Sequence, residues 1–292
     1  MLILQGAISL GLLWSLMAIG VYLSFRILEM PDLSVEGTII LGAAIAASRI
    51  SQGGDPFTAT VLAIFVGSAG GLVTGLLHTR LKIPPILSGI LTMVASYSVV
   101  IRIMGTSNIA LVRATTVYTF LQEMGLTRQQ SIIAVGLLVV TLIGALLFWF
   151  FGTELGAAIR ATGNNRQMIK AQGVNTDVTI IICLMIANGL VGLSGALIAQ
   201  SQGFASVDMG AGTIVIGLAS VIIAEVLFRV RSFGGRIASL VCGAVLYRLI
   251  IALVLELGMA PTDLRLFIAI TVAIALTLPL IRDKIATLGR RQ

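Results

Sequence analysis

Apolar positions gather into long runs separated by short polar or glycine-rich stretches, the pattern of successive helices that meet an apolar surrounding on most sides. Runs bounded by charge or turn residues predict helices at roughly 4–24, 34–48, 57–78, 84–104, 131–151, 178–200, 212–228, 237–255 and 264–281, about nine in all. A bilayer core of about 30 Å takes roughly 20 helical residues per crossing, so 292 residues accommodate on the order of eight to ten spans with short loops. The expected fold is an all-α polytopic membrane protein, with 1–292 forming a single transmembrane domain.

Two of the runs are short and alike. Gly37-Thr38-Ile39-Ile40-Leu41-Gly42 and Gly212-Thr213-Ile214-Val215-Ile216-Gly217 each follow a full-length helix and an extended polar approach. Gly-Gly pairs, Gly70-Gly71 and Gly234-Gly235, fall in the next segments. An odd number of spans separates the copies, so they cross in opposite directions, which predicts an inverted repeat with halves at about 1–130 and 178–292. Short, glycine-interrupted segments at matched positions point to a translocation pathway, because non-helical backbone at membrane depth must face protein or water. Chance similarity of glycine-rich apolar sequence is the bland alternative.

Composition narrows the class: 58% of residues are hydrophobic, 11% are charged and the mean hydropathy is +1.07, which excludes a water-soluble fold. The net charge of +7 matters through its placement, since Lys and Arg bias loops towards the cytoplasm. Setting the end of the first helix inside puts Arg26, Arg80, Lys82, Arg160, Arg166, Lys170, Arg229, Arg231, Arg236, Arg282, Lys284, Arg290 and Arg291 inside, thirteen of nineteen basic residues. The N-terminus is then external and the C-terminus cytoplasmic. No basic residue precedes Arg26, so the first run lacks the charged start of a signal peptide and is expected to remain as a helix. Cys183 and Cys242 lie in apolar runs without metal or redox spacing, and the ten methionines are scattered as adaptable packing.

One polar segment, 152–177, is too hydrophilic to span. Leu155, Ala158, Ile159 and Thr162 recur at helical spacing, and Gly163-Asn164 offers a break before a second short helix reaching Gly173. Small residues (Gly156, Ala157, Ala161, Ala171) allow close seating in a groove of another protein, and Arg160, Arg166 and Lys170 can meet acidic groups there. The segment resembles the coupling-helix region of bacterial ABC importer permeases of the branched-chain amino acid and ribose type. That region reads G-x-x-x-R-A-x-G-x-N followed by G-V/I-N, matched here by Gly156 through Asn165 and Gly173-Val174-Asn175. Pro31-Asp32-Leu33-Ser34-Val35-Glu36-Gly37 resembles the P-D-L-T/S-V-E/D-G of tryptophan/tyrosine-type permeases within that superfamily.

The resemblance implies a multi-pass subunit of the bacterial cytoplasmic membrane, paired with a second permease, identical (a second copy of this chain) or different, with two cytoplasmic ATPase subunits and an external substrate-binding protein. It implies import of a small solute, with aromatic amino acids first and branched-chain amino acids, nucleosides and other small polar organics open. The chain has no G-x-x-x-x-G-K-[ST] loop, so ATP and magnesium are expected on the partner, with no cofactor and no enzymatic activity here. ATPase coupling is expected at Gly156, Ala157, Ile159, Arg160, Ala161, Gly163, Asn165, Arg166, Lys170 and Gly173. Solvated positive-inside residues are the bland reading of the three cations.

Pathway candidates are Asp32, Glu36, Thr92, Ser96, Tyr97, Asn188 and Thr213. Helix capping competes for Asp32 and Glu36, and helix-to-helix hydrogen bonding for Thr92, Ser96, Tyr97 and Asn188. Glu225 is expected to pair with Arg229 one turn later. His78, beside Arg80, reads as interfacial, and the external stretch 105–130 as either a packed lid or a solvated loop. A self-contained ion-coupled secondary transporter is the main rival, weakened because the acids cluster at helix ends rather than in the midplane. A membrane-embedded enzyme would need more than one lone His without H-E-x-x-H or G-x-S-x-G.

Overall fold

The computed structural model describes residues 2–256, apart from 113, 229 and 231, together with residue 270. Its helices are α1 (Leu2–Tyr22), α2 (Val35–Ser51), α3 (Pro56–Thr79), α4 (Pro85–Met104), α5 (Thr119–Glu123) and α6 (Arg128–Phe151), then α7 (Glu154–Asn164), α8 (Arg166–Ala171), α9 (Thr176–Gln202), α10 (Thr213–Leu227) and α11 (Phe233–Glu256). Two strands, β1 (Asn108–Ala110) and β2 (Phe204–Ser206), pair antiparallel with Ile109 opposite Ala205. Seven of the described segments are long and apolar enough to span, so the chain is a multi-pass α-helical membrane protein. The helix expected at 264–281, and the basic residues from Arg282 onward, lie outside the described residues.

Several helix starts follow from local chemistry. Asp55 accepts from the Thr58 N–H at 2.8 Å ahead of Pro56, Thr127 and Gln130 cap each other's backbone at α6, and Asn175 accepts from Asp177 and Val178 at α9. α11 begins at Phe233 rather than 237. Its Gly-Gly pair occupies the first turn, where N–H groups have no helical partner anyway, and Ser232 Oγ accepts from Gly235 at 3.3 Å.

α1, α2 and α9 form the buried centre, whereas α3, α4 and α6 carry an outward apolar face that includes Phe65, Val94, Leu138 and Trp149. α9 lies against both α2 and α3 along much of its length. Contact is this close because a Cβ at Gly192 would strike the Ala63 carbonyl and one at Gly71 the Leu184 carbonyl. The β1–β2 pair closes one end of the bundle, the sheet face; α7 and α8 close the other, the loop face.

α2 is not among those seven segments, and α10 is only the helical part, from Thr213, of the candidate span Val207–Leu227. α1 closes with a wide turn, Leu23–Ile27, whose end meets Gly163 of α7 at the loop face. From there the chain climbs non-helically to Asp32, which bonds Asn188, nine residues above the Thr179 contact with α7 and so roughly 14 Å up α9. α2 therefore starts inside the bundle and runs to the sheet face. The chain after β2 descends to Gly212, beside Glu36, and α10 runs from there to the loop face, where Glu225 meets Arg26.

The two segments have matched surroundings. α2 packs on α9 and α3, and α10 on α1 and α11; α3 packs on α9, and α11 on α1. Gly42 seats α2 on α9 and Gly217 seats α10 on α1, and Thr213 donates to the carbonyl three residues back. The Gly-Gly pairs do not correspond: Gly70-Gly71 sit mid-α3 against Thr38 and Leu184, whereas Gly234-Gly235 sit in the first turn of α11. The stretch 105–130 is anchored at a few points and is otherwise largely exposed. Tyr118 donates to the Leu197 carbonyl at 2.9 Å, the Val117 N–H to Gln200 Oε1 at 3.0 Å, and Arg128 to the Ser201 carbonyl at 2.9 Å.

Candidate functional site

Where α2 begins, four polar side chains close on one another. Asp32 is only 2% exposed, yet its carboxylate has three donors: the Ser34 N–H at 2.9 Å, the Ser34 hydroxyl at 2.6 Å and Asn188 Nδ2 at 2.8 Å. Asn188 Nδ2 also donates to the Leu184 carbonyl at 3.1 Å, and its Oδ1 accepts from Thr38 at 2.7 Å. Nδ2 faces two acceptors and Oδ1 faces a hydroxyl, so the amide orientation follows from the chemistry. A buried carboxylate is tolerated only with such a shell. The knot holds the start of α2 against the middle of α9, and both Asp32 and Asn188 are closed off from any open passage.

Thr92 and Ser96 are equally spent. The Thr74 hydroxyl donates to Thr92 Oγ1 at 2.8 Å, stitching α3 to α4, and Ser96 donates to the Thr92 carbonyl at 2.7 Å within α4. Thr213 is buried and bonded to the Gly210 carbonyl at 2.9 Å. Of the seven pathway candidates, Glu36 and Tyr97 alone reach a partly open surface, beside exposed Asp208, Ala211 and Gly212. The Glu36 carboxylate accepts from the Gly212 N–H at 3.0 Å. Exposed backbone at this depth has to face water or a second protein surface.

At the loop face, Thr153 caps α7 and Asn165 caps α8 through a 2.9 Å bond from the Met168 N–H. The ten coupling candidates divide between two sides. Gly156 lies against Phe150 and Phe151, Ile159 is fully buried, and Gly163 abuts the Ile27 carbonyl, so these three seat the loop on the spans. Ala157, Arg160, Asn165, Arg166, Lys170 and Gly173 are on the exposed side, with Ala161 at its edge.

Two of the three cations are engaged within the chain. Arg160 donates to the Phe151 carbonyl at the end of α6 at 2.9 Å. Arg166 bridges Asp177 at 2.9 Å, with Lys82 at 3.8 Å from the same carboxylate and His78 Nε2 at 3.4 Å from the guanidinium. His78 Nδ1 faces the Ile83 carbonyl at 2.9 Å, which makes Nδ1 the donor and Nε2 the acceptor. Lys170 has no ion-pair partner among the described residues. Glu225, expected to pair within its own helix, is bridged at 2.8 Å by Arg26; Arg229 lies outside the described residues.

Sequence reasoning missed Met168 and gave Leu155 no place in the site, although both are apolar and about half exposed on the outward side. The apolar pattern does not separate them from the inward side: Leu155 lies one turn before buried Ile159, and Met168 directly precedes buried Ile169. It also missed Ser34 and Thr38, whose i, i+4 spacing beside Asp32 marks one polar face.

Comparison with known proteins places this geometry. The chain is 41% identical over 262 residues to a tyrosine transport system permease protein of Clostridioides difficile, covering 90% of this chain and 86% of that one. It is 30% identical over 279 residues to an uncharacterized protein of Rickettsia prowazekii, covering 94% and 97%. A probable branched-chain amino acid transport permease of Methanocaldococcus jannaschii is 23% identical over 218 residues, covering 69% and 67%. No solved structure gives a significant match. The family described as branched-chain amino acid transport system, permease component, matches residues 3–277, and the chain belongs to it.

Proposed function

We propose that this chain is the membrane-spanning half of an ATP-driven importer, working as a pair of identical permeases in the bacterial cytoplasmic membrane. Two ATPase subunits dock at the loop face, which is cytoplasmic, and a substrate-binding protein docks at the sheet face, which is external. ATP and magnesium belong to the ATPases. The solute is a small amino acid, aromatic by likeness to the tyrosine permease relative.

The observation that carries the reading is the two-sided loop. Its inward side is fixed by Gly156, Ile159 and Gly163, while Leu155, Met168 and Lys170 stand outward without a described partner of their own chain. Exposed apolar side chains and a cation on one loop suit a groove with an acidic rim. A push on this loop reaches the spans at defined points: Gly163 on the end of α1, Thr162 on Thr179 at 2.9 Å, and Arg166 on Asp177. α9 then leads to Asn188 and the start of α2. Chains of packed and hydrogen-bonded groups of this kind let one site bias another. The halves at about 1–130 and 178–292 act as an inverted pair around the interior starts of α2 and α10, with Glu36 and Tyr97 on the pathway side.

The test is co-purification of the tagged chain from its native membrane, intact and with Met168→Asp plus Lys170→Glu. An ATPase subunit should accompany the intact chain and be lost from the folded double variant. If mild extraction yields no ATPase with the intact chain, and the purified chain alone carries out ion-driven uptake, the importer reading fails.

A further inference from the structure

At the loop-face end of the first span, a cavity of about 160 Å³ opens between the end of α1, the end of α10 and the first turns of α11. Tyr22, Arg26, Glu225, Phe228, Arg236 and Ser239 are on its wall. The wall has more donors than acceptors. Arg26 spends its Nε on Glu225 at 2.8 Å, and Arg236 directs its Nε at the Val230 carbonyl at 3.4 Å. Among the described residues, the remaining guanidinium N–H groups have no acceptor, and Glu225 is the one carboxylate set against two cations. Ser239 is already committed to the Arg236 carbonyl at 2.7 Å.

Tyr22 is the second, independent sign. Its side chain is 2% exposed, the residue lies on the cavity wall, and its hydroxyl has no hydrogen-bond partner among the described residues. Buried polar groups are ordinarily paired, and an orphan of this kind indicates a missing partner. The partner has to carry several acceptor oxygens and negative charge, to suit two guanidiniums and a hydroxyl at once.

The surroundings choose among anions. Phe25, Leu227 and Phe228 are exposed apolar side chains around the same end of the bundle, where two candidate spans end and a bilayer's polar headgroups would meet its chains. Basic pockets between spans at such a boundary suit lipid headgroups. We propose that this cavity binds the phosphate of an anionic phospholipid, with Tyr22, Arg26 and Arg236 as donors and the acyl chains along Leu227 and Phe228. That the lipid comes from the cytoplasmic leaflet rests on the orientation proposed above; the binding itself does not.

Native mass spectrometry of the purified, delipidated chain tests this, with phosphatidylglycerol, phosphatidylcholine and inorganic phosphate titrated separately. The intact chain should retain one phosphatidylglycerol about tenfold more tightly than phosphatidylcholine, as loss of a charge-matched headgroup predicts. Arg236→Gln, at an exposed position, should abolish that preference, and Tyr22→Phe should weaken retention roughly fivefold, the effect of one neutral hydrogen bond. Glu225→Gln should strengthen it, because the competing carboxylate is gone. Equal retention of both lipids by the intact chain, or unchanged retention in folded Arg236→Gln and Tyr22→Phe, overturns the site. Binding of inorganic phosphate without phosphatidylglycerol overturns the lipid as its source. None of these readouts depends on transport or on an ATPase.

Discussion

The Glu36 carboxylate accepts a 3.0 Å hydrogen bond from the Gly212 N–H, joining the first turn of α2 to the start of α10 across 176 residues of sequence. Each of these helices begins inside the bundle, and the positive end of α10 is offset by this carboxylate. Glu36→Gln keeps an acceptor and loses the charge, whereas Glu36→Ala loses both. Thermal unfolding of the detergent-purified chain should show Glu36→Ala destabilised by about 1–2 kcal/mol and Glu36→Gln by less than half of that. If the two variants are equally stable, the bond does not hold α10 in place.

Asp32 and Asn188 make a stronger case for coupling within the fold. Removing either leaves the other buried with unmet hydrogen-bonding groups, at about 1–3 kcal/mol and more for the carboxylate. Asp32→Ala leaves Asn188 Nδ2 short of one acceptor; Asn188→Ala leaves Asp32 Oδ2 without its donor. The double variant Asp32→Ala, Asn188→Ala should therefore cost clearly less than the sum of the singles, read from unfolding midpoints in a double-mutant cycle. Additive losses would mean that the pair is not one unit.

The spans and the polar two-helix loop were legible because each is written locally: apolar runs set the helices, Asp55-Pro56 and Thr127 with Gln130 set starts, and Gly156 to Asn165 spell the loop. What was not legible depends on helix rotation and on partners far apart in sequence. Asp32 reads as a helix-capping acid until Asn188, 156 residues away, is seen against it. Glu225 also meets Arg26, 199 residues away, a partner that no local spacing announces. The Gly-Gly pairs matched as letters but serve different ends, helix contact in α3 and a first turn in α11. Gly156, Ile159 and Gly163 are coupling candidates by motif, and a family motif does not say which of its residues face inward.

The Arg166–Asp177 bridge separates stability from coupling. Its side chains are 42% and 35% exposed, so the pair is worth at most about 1 kcal/mol to folding. It nonetheless ties α8 to the first turn of α9, opposite the anchor at Gly163. Asp177→Asn should leave the unfolding midpoint nearly unchanged while reducing solute-stimulated ATP hydrolysis by the reconstituted complex several-fold. Normal stimulation in that variant would remove this bridge from the coupling route.

Gly163 bears the sharpest steric demand in the loop, since a Cβ there would run into the Ile27 carbonyl and the Leu28 backbone, neither of which is a side chain able to swing away. Gly163→Ala must push α7 off the end of the first span, at a cost of about 1–3 kcal/mol for overpacking. Because α7 is held elsewhere by Gly156, Ile159 and the Thr162–Thr179 bond, the strain should be relieved by tilting α7 rather than by unfolding the spans. The variant should thus still bind the ATPase through its outward residues but fail to convert ATP hydrolysis into uptake. That uncoupled state, co-purification retained and transport lost, is the outcome that distinguishes a transmitting contact from a docking one. Loss of co-purification instead would return Gly163 to the partner surface.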